Sequence, residues 1–399
     1  MKIPYGRQSI SDADKAAVQQ VLESDWLTQG PTVPQFESAL SAYCCSSFCV
    51  AVNSATSALH LSCLALGVGA GDEVWTTPNT FVASANCARF CGATVDFVDI
   101  DLTTYNLSPD ALRNKLSARV RSAGKIPKVL VVVHFAGQPC DMSAISRICE
   151  NYGIRIVEDA SHAIGAQLGD KPIGACEFSD ITVFSFHPVK IITCGEGGAV
   201  LTNDAVLHER MAQLRTHGIV RPVADHSAVD DRPWVYEQHG LGFNYRMTDI
   251  QAALGLSQLS QIDAFTEKRH VLADRYDAEL ADTPLQLPCR VAGSRSALHL
   301  YPVLVNAHES ESSQIIEQRK LELFRYLRCQ GIGVNVHYIP VHTQPYYQQF
   351  GFRFGDFPNA ERYYYRTLSI PMFASLTDSE QSFVIHVLHS AYATVKLAA

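Results

Sequence analysis

The sequence predicts an α/β protein: a large, mostly parallel sheet domain followed by a smaller α+β domain. Three observations predict it. Between Cys49 and Thr202, short apolar runs of strand length alternate with helical patterns of roughly 10–15 residues, as in βαβ units. After about residue 250 that alternation stops, and one long helical stretch leads into a shorter mixed segment. Polar residues also gather where the apolar runs end, which is where open α/β sheets collect ligands.

The elements follow in order. Asp12–Ser24 carries Ala17, Val18, Val21 and Leu22 at helical spacing. A turn-rich stretch, Leu27-Thr28-Gln29-Gly30-Pro31, comes next. Strands are expected at Cys49–Val52, Glu73–Thr77, Val95–Ile100, Val129–Phe135, Ile154–Glu158, Ile181–Phe186 and Ala199–Thr202. Helices are expected at Ala55–Leu66, Phe81–Phe90 and Met142–Tyr152, and one long helix over Ile250–Leu280. In the last third, strands near His299–Val305 and Val334–Tyr338 flank a helix around Ile315–Gln330. The expected domains are 1–255, comprising the N-terminal segment and the sheet domain, and 256–399.

Composition narrows the function. The 399 residues are 47% apolar and 18% charged, which excludes a disordered chain. Lys and Arg number 32 against 40 Asp and Glu, for a formal charge of −8. That balance argues against nucleic acid or anionic membrane as partners, but leaves room for a local basic pocket. No run reaches the ~18 apolar residues of a membrane span. Met1–Gln8 lacks the apolar core of a signal peptide, so a cytoplasmic protein is expected. The 12 cysteines are scattered, without C-x-x-C or zinc-finger spacing. They read as reduced, small apolar residues, and no metal site is assigned; a metal site or disulfide is the alternative.

Four segments carry candidate chemistry. Asn53–His60 places small polar residues where a strand meets a helix, and a helix N-terminus can hold a phosphate; an ordinary cap is the alternative. Glu158 and Asp159 end an apolar strand, where a carboxylate can pair with a protonated ring nitrogen. Ser185-Phe186-His187-Pro188-Val189-Lys190 leads a strand end into Gly195-Glu196-Gly197-Gly198. A lysine between apolar neighbours there would lose part of its hydration and become a nucleophile. Gly242–Met247 puts Asn244 and Arg246 in a glycine-aromatic loop before a helix. In this order the first three are the parts of a pyridoxal 5'-phosphate (PLP) site: a phosphate cradle, a carboxylate for the pyridine nitrogen and a lysine for the aldehyde.

These motifs, with Leu27-Thr28-Gln29-Gly30 and Glu158–Ala163, resemble the DegT/DnrJ/EryC1/StrS sugar aminotransferases, within fold type I of the PLP enzymes. The resemblance runs over nearly the whole chain. His299-Leu300-Tyr301-Pro302 and Gly331–Tyr338 are similar to the branch that aminates C4 in pseudaminic acid synthesis. It implies a homodimer with shared sites, acting on a UDP-linked 4-keto-6-deoxy-N-acetylhexose with L-glutamate as donor. The product it implies is UDP-4-amino-4,6-dideoxy-N-acetyl-β-L-altrosamine. By the same resemblance, Lys190 binds the cofactor aldehyde and shuttles protons, and Asp159 pairs with the pyridine nitrogen. Phe81 stacks on the ring; Ala55, Thr56 and Ser185 hold the phosphate; His162 sits beside the phenolic oxygen. Asn244 reaches the phosphate of the neighbouring subunit. Tyr5, Asp25, Trp26, Leu27 and Thr28, with Asn335, Val336, His337 and Tyr338, line the nucleotide-sugar site. Ile191-Ile192-Thr193-Cys194 departs from the usual Pro-Ile-Thr-Thr that follows the lysine. From their loop positions, Arg246, Arg295 and His337 are candidates to meet the diphosphate.

Overall fold

The computed structural model describes residues 2–220, 234–308 and 310–394. Five strands open the chain's sheet: β1 (Phe48–Val52), β2 (Glu73–Thr76), β3 (Thr94–Phe97), β4 (Val129–Val133) and β5 (Arg155–Asp159). A small hairpin, β6 (Gln167–Leu168) and β7 (Lys171–Pro172), interrupts before β8 (Ile181–Ser185) and β9 (Gly198–Thr202). The large sheet has the order β1-β9-β8-β5-β4-β2-β3. All its pairs are parallel except those of β9, which runs antiparallel to both β1 and β8. The central strands β4, β8 and β9 are buried along their whole length. Helices cover both faces, which is why these strands read as unbroken apolar runs.

The helices of this part are α1 (Asp12–Leu22), α2 (Thr32–Cys44), α3 (Ala55–Ala65), α4 (Ala83–Phe90), α5 (Pro109–Arg121), α6 (Met142–Glu150), α7 (Ala205–Arg215) and α8 (Asp249–Leu259). Local signals start several of them: Ser11 and Asp14 form a capping box on α1, and Thr248 and Gln251 form another on α8. Helix α2 has no side-chain cap of its own. Instead the buried Asp249 carboxylate accepts from the N–H groups of Gly30 and Thr32, each at 2.8 Å. A second buried carboxylate, Asp14, accepts from Ser257 Oγ at 2.6 Å and Gln258 Nε2 at 2.7 Å, joining α1 to α8.

The expected long helix is two. α8 ends at Leu259 and α9 (Ile262–Glu279) begins after Ser260-Gln261. The N–H groups of Ser260 and Gln261 bond back three residues, to Ser257 and Gln258, which tightens the last turn and ends the α-helical ladder. α8 can then stay against α1 and α2 while α9 leads away. Ile262 and Phe265 pack in one core with α2 and the sheet, whereas Leu272, Ala273 and Tyr276 pack in another.

That second core encloses β13 (Tyr301–Leu304) and β14 (Thr367–Ile370), an antiparallel pair. Around it lie α10 (Ser313–Cys329) and α13 (Asp378–Thr394), with α11 (Pro345–Gln348) and α12 (Pro358–Arg366) toward the sheet. Two minor pairs complete the strands: β10 (Ile219–Val220) with β11 (Glu237–Gln238), and β12 (Ser294–Arg295) on β6. The expected strand at Val334–Tyr338 is corrected. Only Asn335 pairs, with Ser369; the chain then leaves β14, and the N–H of Val341 bonds Pro78 O in the large sheet region.

Candidate active site

A cavity of about 520 Å³ opens where the two cores meet, at the carboxyl ends of β4, β5 and β8. Its lining joins residues far apart in sequence: Tyr5, Ala55, Thr56, Phe81, Asp159, His162, Ser185, Lys190, Asn335, Val336, His337 and Tyr338. Each of these was a candidate from sequence, and the fold brings all of them together.

The pleat separates the two acids that end β5, since successive strand residues face opposite sides. Asp159 faces the cavity. Its Oδ2 accepts from Ser84 Oγ at 2.6 Å, and its Oδ1 from the Ser161 N–H at 3.1 Å. Glu158 points the other way. Its Oε2 accepts from His134 Nε2 at 2.6 Å, because His134 Nδ1 is taken by the N–H of Cys140. Only Asp159 can serve a ligand in the cavity.

Lys190 sits in the turn after β8, its N–H bonded to His187 O at 2.9 Å. Burial holds its ammonium down to about 8, against the opposing pull of the Asp159 carboxylate. Three imidazoles surround it without adding charge. Burial, then Lys190 and His337, hold His162 well below the usual imidazole value. Burial likewise depresses His299, helped by His162, Lys190, Arg269 and His337. His337 is held at about 4 by burial and by Lys190.

Hydrogen bonds define the His162 tautomer. Its Nδ1 accepts from the N–H of Ala136 at 3.2 Å, so the proton is on Nε2 and is donated to Tyr338 Oη at 3.1 Å. The Tyr338 hydroxyl proton is then left for another acceptor. Phe81 is 59% exposed at the mouth, its ring centroid 6.3 Å from that of Tyr338. Tyr5 is brought in by the N-terminal segment, which bonds to Gly331 O and Gly333 N through Ile3. A Cβ on Gly333 would lie 2.9 Å from Tyr5 N, so the close approach requires glycine there.

The residues fit a PLP cofactor. Ser54 caps α3 by accepting from Ser57 N at 3.1 Å, and the N–H groups of Ala55 and Thr56 have no acceptor among the described residues. Two free donors at a helix N-terminus beside Ser185 could hold a phosphate. Gly198 lets β9 pass beneath it: a Cβ there would lie 2.6 Å from Ala55 N. Asp159 and Lys190 supply the carboxylate and the amine that the ring and aldehyde need.

Other candidates do not line this cavity within the chain. Asp25, Trp26, Leu27 and Thr28 lie elsewhere, Trp26 and Leu27 being exposed and Thr28 bridged to Thr248. Asn244 bridges Thr216. Arg246 faces a separate hollow with Gln29, Gly30 and Arg215, and Arg295 is paired with Glu267 at 2.6 Å. Of the diphosphate candidates only His337 lines the cavity. Sequence reasoning missed Ser84, which braces Asp159, and gave His299 no role. Ser84 lies in an alternation of small residues with no local signal. His299 precedes an apolar strand, yet it lines the cavity with its ring centroid 4.4 Å from that of His162.

A large, mostly parallel sheet, a small domain over its carboxyl edge, and a lysine-aspartate pair between them define a PLP-dependent aminotransferase. The chain belongs to the DegT/DnrJ/EryC1/StrS aminotransferase family, whose model matches residues 8–389. It is 38% identical to the Bacillus subtilis spore coat polysaccharide biosynthesis protein SpsC over 97% of this chain and 96% of that protein. It is 36% identical to the Campylobacter jejuni UDP-4-amino-4,6-dideoxy-N-acetyl-β-L-altrosamine transaminase over 99% of this chain and 98% of that one. Among solved structures, Helicobacter pylori PseC, an aminotransferase of pseudaminic acid biosynthesis, superposes with a TM-score of 0.88 at 32% identity, covering 99% of this chain and 100% of its own. Spr1654 of Streptococcus pneumoniae in its PMP form gives a TM-score of 0.89 at 28% identity, with both chains covered fully. The protein is thus a sugar aminotransferase that uses PLP.

Proposed function

We propose that this enzyme moves the amino group of L-glutamate to C4 of a UDP-linked 4-keto-6-deoxy-N-acetylhexose. The product is UDP-4-amino-4,6-dideoxy-N-acetyl-β-L-altrosamine, a precursor of pseudaminic acid. The observation that carries the chemistry is Lys190, a half-buried amine lining the cavity with Asp159, His162, His299 and His337, its ammonium held down to about 8. The sugar assignment is supported by the 36% identity to the altrosamine transaminase and by the likeness to PseC.

When bound, PLP supplies the electron sink for carbanion chemistry at the amine-bearing carbon. The chain's own residues do the rest. Asp159 would hold the pyridine nitrogen in its protonated form, with Ser84 and Ser161 fixing the carboxylate's direction. Ala55, Thr56 and Ser185 would hold the phosphate. Lys190, free of a permanent charge near pH 8, takes the proton from the glutamate α-carbon and later delivers one to the sugar C4. His162 and Tyr338 present one oriented hydroxyl donor to the ligand. Phe81 would cover the ring; Tyr5, Asn335, Val336 and His337 would contact the nucleotide sugar.

Homodimeric assembly in the cytoplasm belongs to the same reading. Asn244 and the segment Asp25–Thr28 lie off the cavity of their own chain, as expected if a second copy uses them. No helix among the described residues is long and apolar enough to cross a membrane.

The test offers the purified enzyme a panel of UDP-4-keto sugars with glutamate and identifies the amino sugar by NMR. Amination of the 4-keto-6-deoxy-L-sugar in preference to its stereoisomers supports the assignment. Preference for another nucleotide sugar would instead make it a different nucleotide-sugar 4- or 3-aminotransferase of the same family. Lys190→Ala should lower turnover at least about a thousandfold while the fold persists. Normal turnover in that variant would sink the mechanism.

A further inference from the structure

We propose that His299 receives the α-carboxylate of the amino donor, with the buried Arg269 behind it supplying the countercharge. The proposal rests on an amino-acid donor, as read above, and not on which sugar is aminated.

His299 is held by strained backbone. Leu298, just before it, has φ +50°, a left-handed conformation that a bulky side chain rarely adopts. Such strain persists where the surroundings over-determine it, and it gathers at functional sites. Here several contacts fix it. The Leu298 N–H donates to Ser296 Oγ at 3.0 Å. Arg269 Nη1 donates to two successive carbonyls, Leu298 O at 3.1 Å and His299 O at 3.2 Å. Gly137, at φ +91°, lies so close that a Cβ on it would be 2.9 Å from Leu298 N and 3.1 Å from His299 N.

The side chain held in this way has nothing to bond. His299 is 4% exposed and lines the cavity. Neither ring nitrogen has a hydrogen-bond partner among the described residues, and Nδ1 is enclosed. Nε2 is therefore the atom left for a ligand. Buried polar groups are ordinarily paired, so an orphan beside a cavity marks a ligand contact. The neighbouring imidazoles are already committed, His162 to Ala136 N and Tyr338 Oη, and His337 to Ser369 Oγ at 2.8 Å.

Charge selects the ligand. Among the described residues no arginine lines the cavity, yet Arg269 stands directly behind His299. It is fully buried, its Nε enclosed and unpartnered, and no carboxylate among the described residues faces it. Burial lowers it only to about 10, so it keeps its charge at neutral pH. A buried charge calls for a counter-ion, and its field is weakly screened there. The amino donor carries a carboxylate on the same carbon as the amine that is transferred. A carboxylate oxygen at Nε2 would select the Nε2–H tautomer and accept its hydrogen bond.

The experiment follows single half-reactions of the holoenzyme by absorbance. The PLP form is mixed with L-glutamate, or with L-glutamine where the wild type prefers it. The PMP form is mixed with 2-oxoglutarate, or with the UDP-4-keto sugar that the panel selects. His299→Phe keeps a ring packed on His162 and removes both nitrogens, whereas His299→Gln restores a donor near Nε2. In His299→Phe the half-saturating concentrations of the amino acid and of 2-oxoglutarate should rise about tenfold or more, and further than that of the nucleotide sugar. His299→Gln should recover part of the loss. Calorimetry of 2-oxoglutarate on the PLP form should give the same order without turnover. Equal rises for every substrate would mean that His299 only packs, a rise confined to the sugar would place it at the sugar, and no rise would leave the carboxylate to another group. Each of these overturns the contact while the amino-acid donor stands. A wild-type enzyme inert to both amino acids would refute that donor, and the contact with it.

Discussion

Lys190 shows how burial makes a chemical group out of an ordinary one. Its ammonium is held near 8 because the cavity cannot solvate it well, and Asp159 restores only part of that loss. The folded value lies below the unfolded one, so the unfolded chain binds more protons between about 8 and the usual lysine range. The lysine's contribution to stability therefore rises with pH through that window, and its full cost is present below it. The same shift predicts a rate. In the cofactor-free protein, covalent capture of the pyridoxal phosphate aldehyde should accelerate with pH around a midpoint near 8, followed as growth of the absorbance band. A midpoint near 10 would mean that the amine is solvated. Ser84 acts at the same scale. Ser84→Ala removes a hydrogen bond to an ionised carboxylate, about 1.5–3 kcal/mol, and should weaken PLP binding roughly tenfold or more by titration. Lys190 and Asp159 could be found from their places at strand ends. Ser84 could not, since its partner is 75 positions away.

At the scale of elements, helix starts decide both fold and site. α3 announces itself through Ser54, and its first two N–H groups are left over for a ligand. Gly198→Ala would drive a methyl group to 2.6 Å from Ala55 N and displace that turn. PLP affinity should fall at least tenfold in an otherwise folded protein, measured by equilibrium titration; an unchanged affinity would remove the α3 turn from the cradle. α2 behaves oppositely. Its cap is Asp249, 217 residues beyond Thr32, so the local sequence shows only the turn before it. Asp249→Ala leaves the half-buried N–H groups of Gly30 and Thr32 unpaired and should cost about 1–3 kcal/mol by chemical denaturation. Periodicity reads as a single long helix because α8 and α9 keep their buried positions in one register across the turn at Ser260-Gln261. What separates them is the two different cores they serve.

Over the whole molecule, the cavity depends on how the two cores are held together. Arg269 on α9 is fully buried and donates to Leu298 O at 3.1 Å, His299 O at 3.2 Å and Met372 O at 3.1 Å. Burial brings it down to about 10, and no carboxylate pairs with it among the described residues. Arg269→Ala strands three buried carbonyls at the junction beside His299. A loss of about 3 kcal/mol or more is expected in thermal unfolding, with turnover falling in the fraction that stays folded. The N-terminal segment adds a second tie by placing Tyr5 in the cavity, through backbone bonds and through Ile3 buried in the second core. Assembly is tested separately. Sedimentation should show a dimer, and Asn244→Ala should weaken PLP binding in that dimer; a monomer with full PLP affinity would refute the shared site.

The sequence by itself determined the class of fold, all seven strands of the large sheet, and the pairing of lysine with strand-end aspartate that implies PLP. Those features are local: periodicity of two or 3.6, and polar residues at the ends of apolar runs. The tertiary structure decided what depends on distance. It turned Asp159 toward the cavity and Glu158 toward His134 by the pleat, fixed the His162 proton on Nε2 through the Ala136 N–H, and recruited Ser84 and His299 to the site. It also replaced the expected strand at Val334–Tyr338 with β14, freeing His337 and Tyr338 to reach the cavity. Burial and long-range hydrogen bonds set these outcomes, and neither is written in the residues next to them.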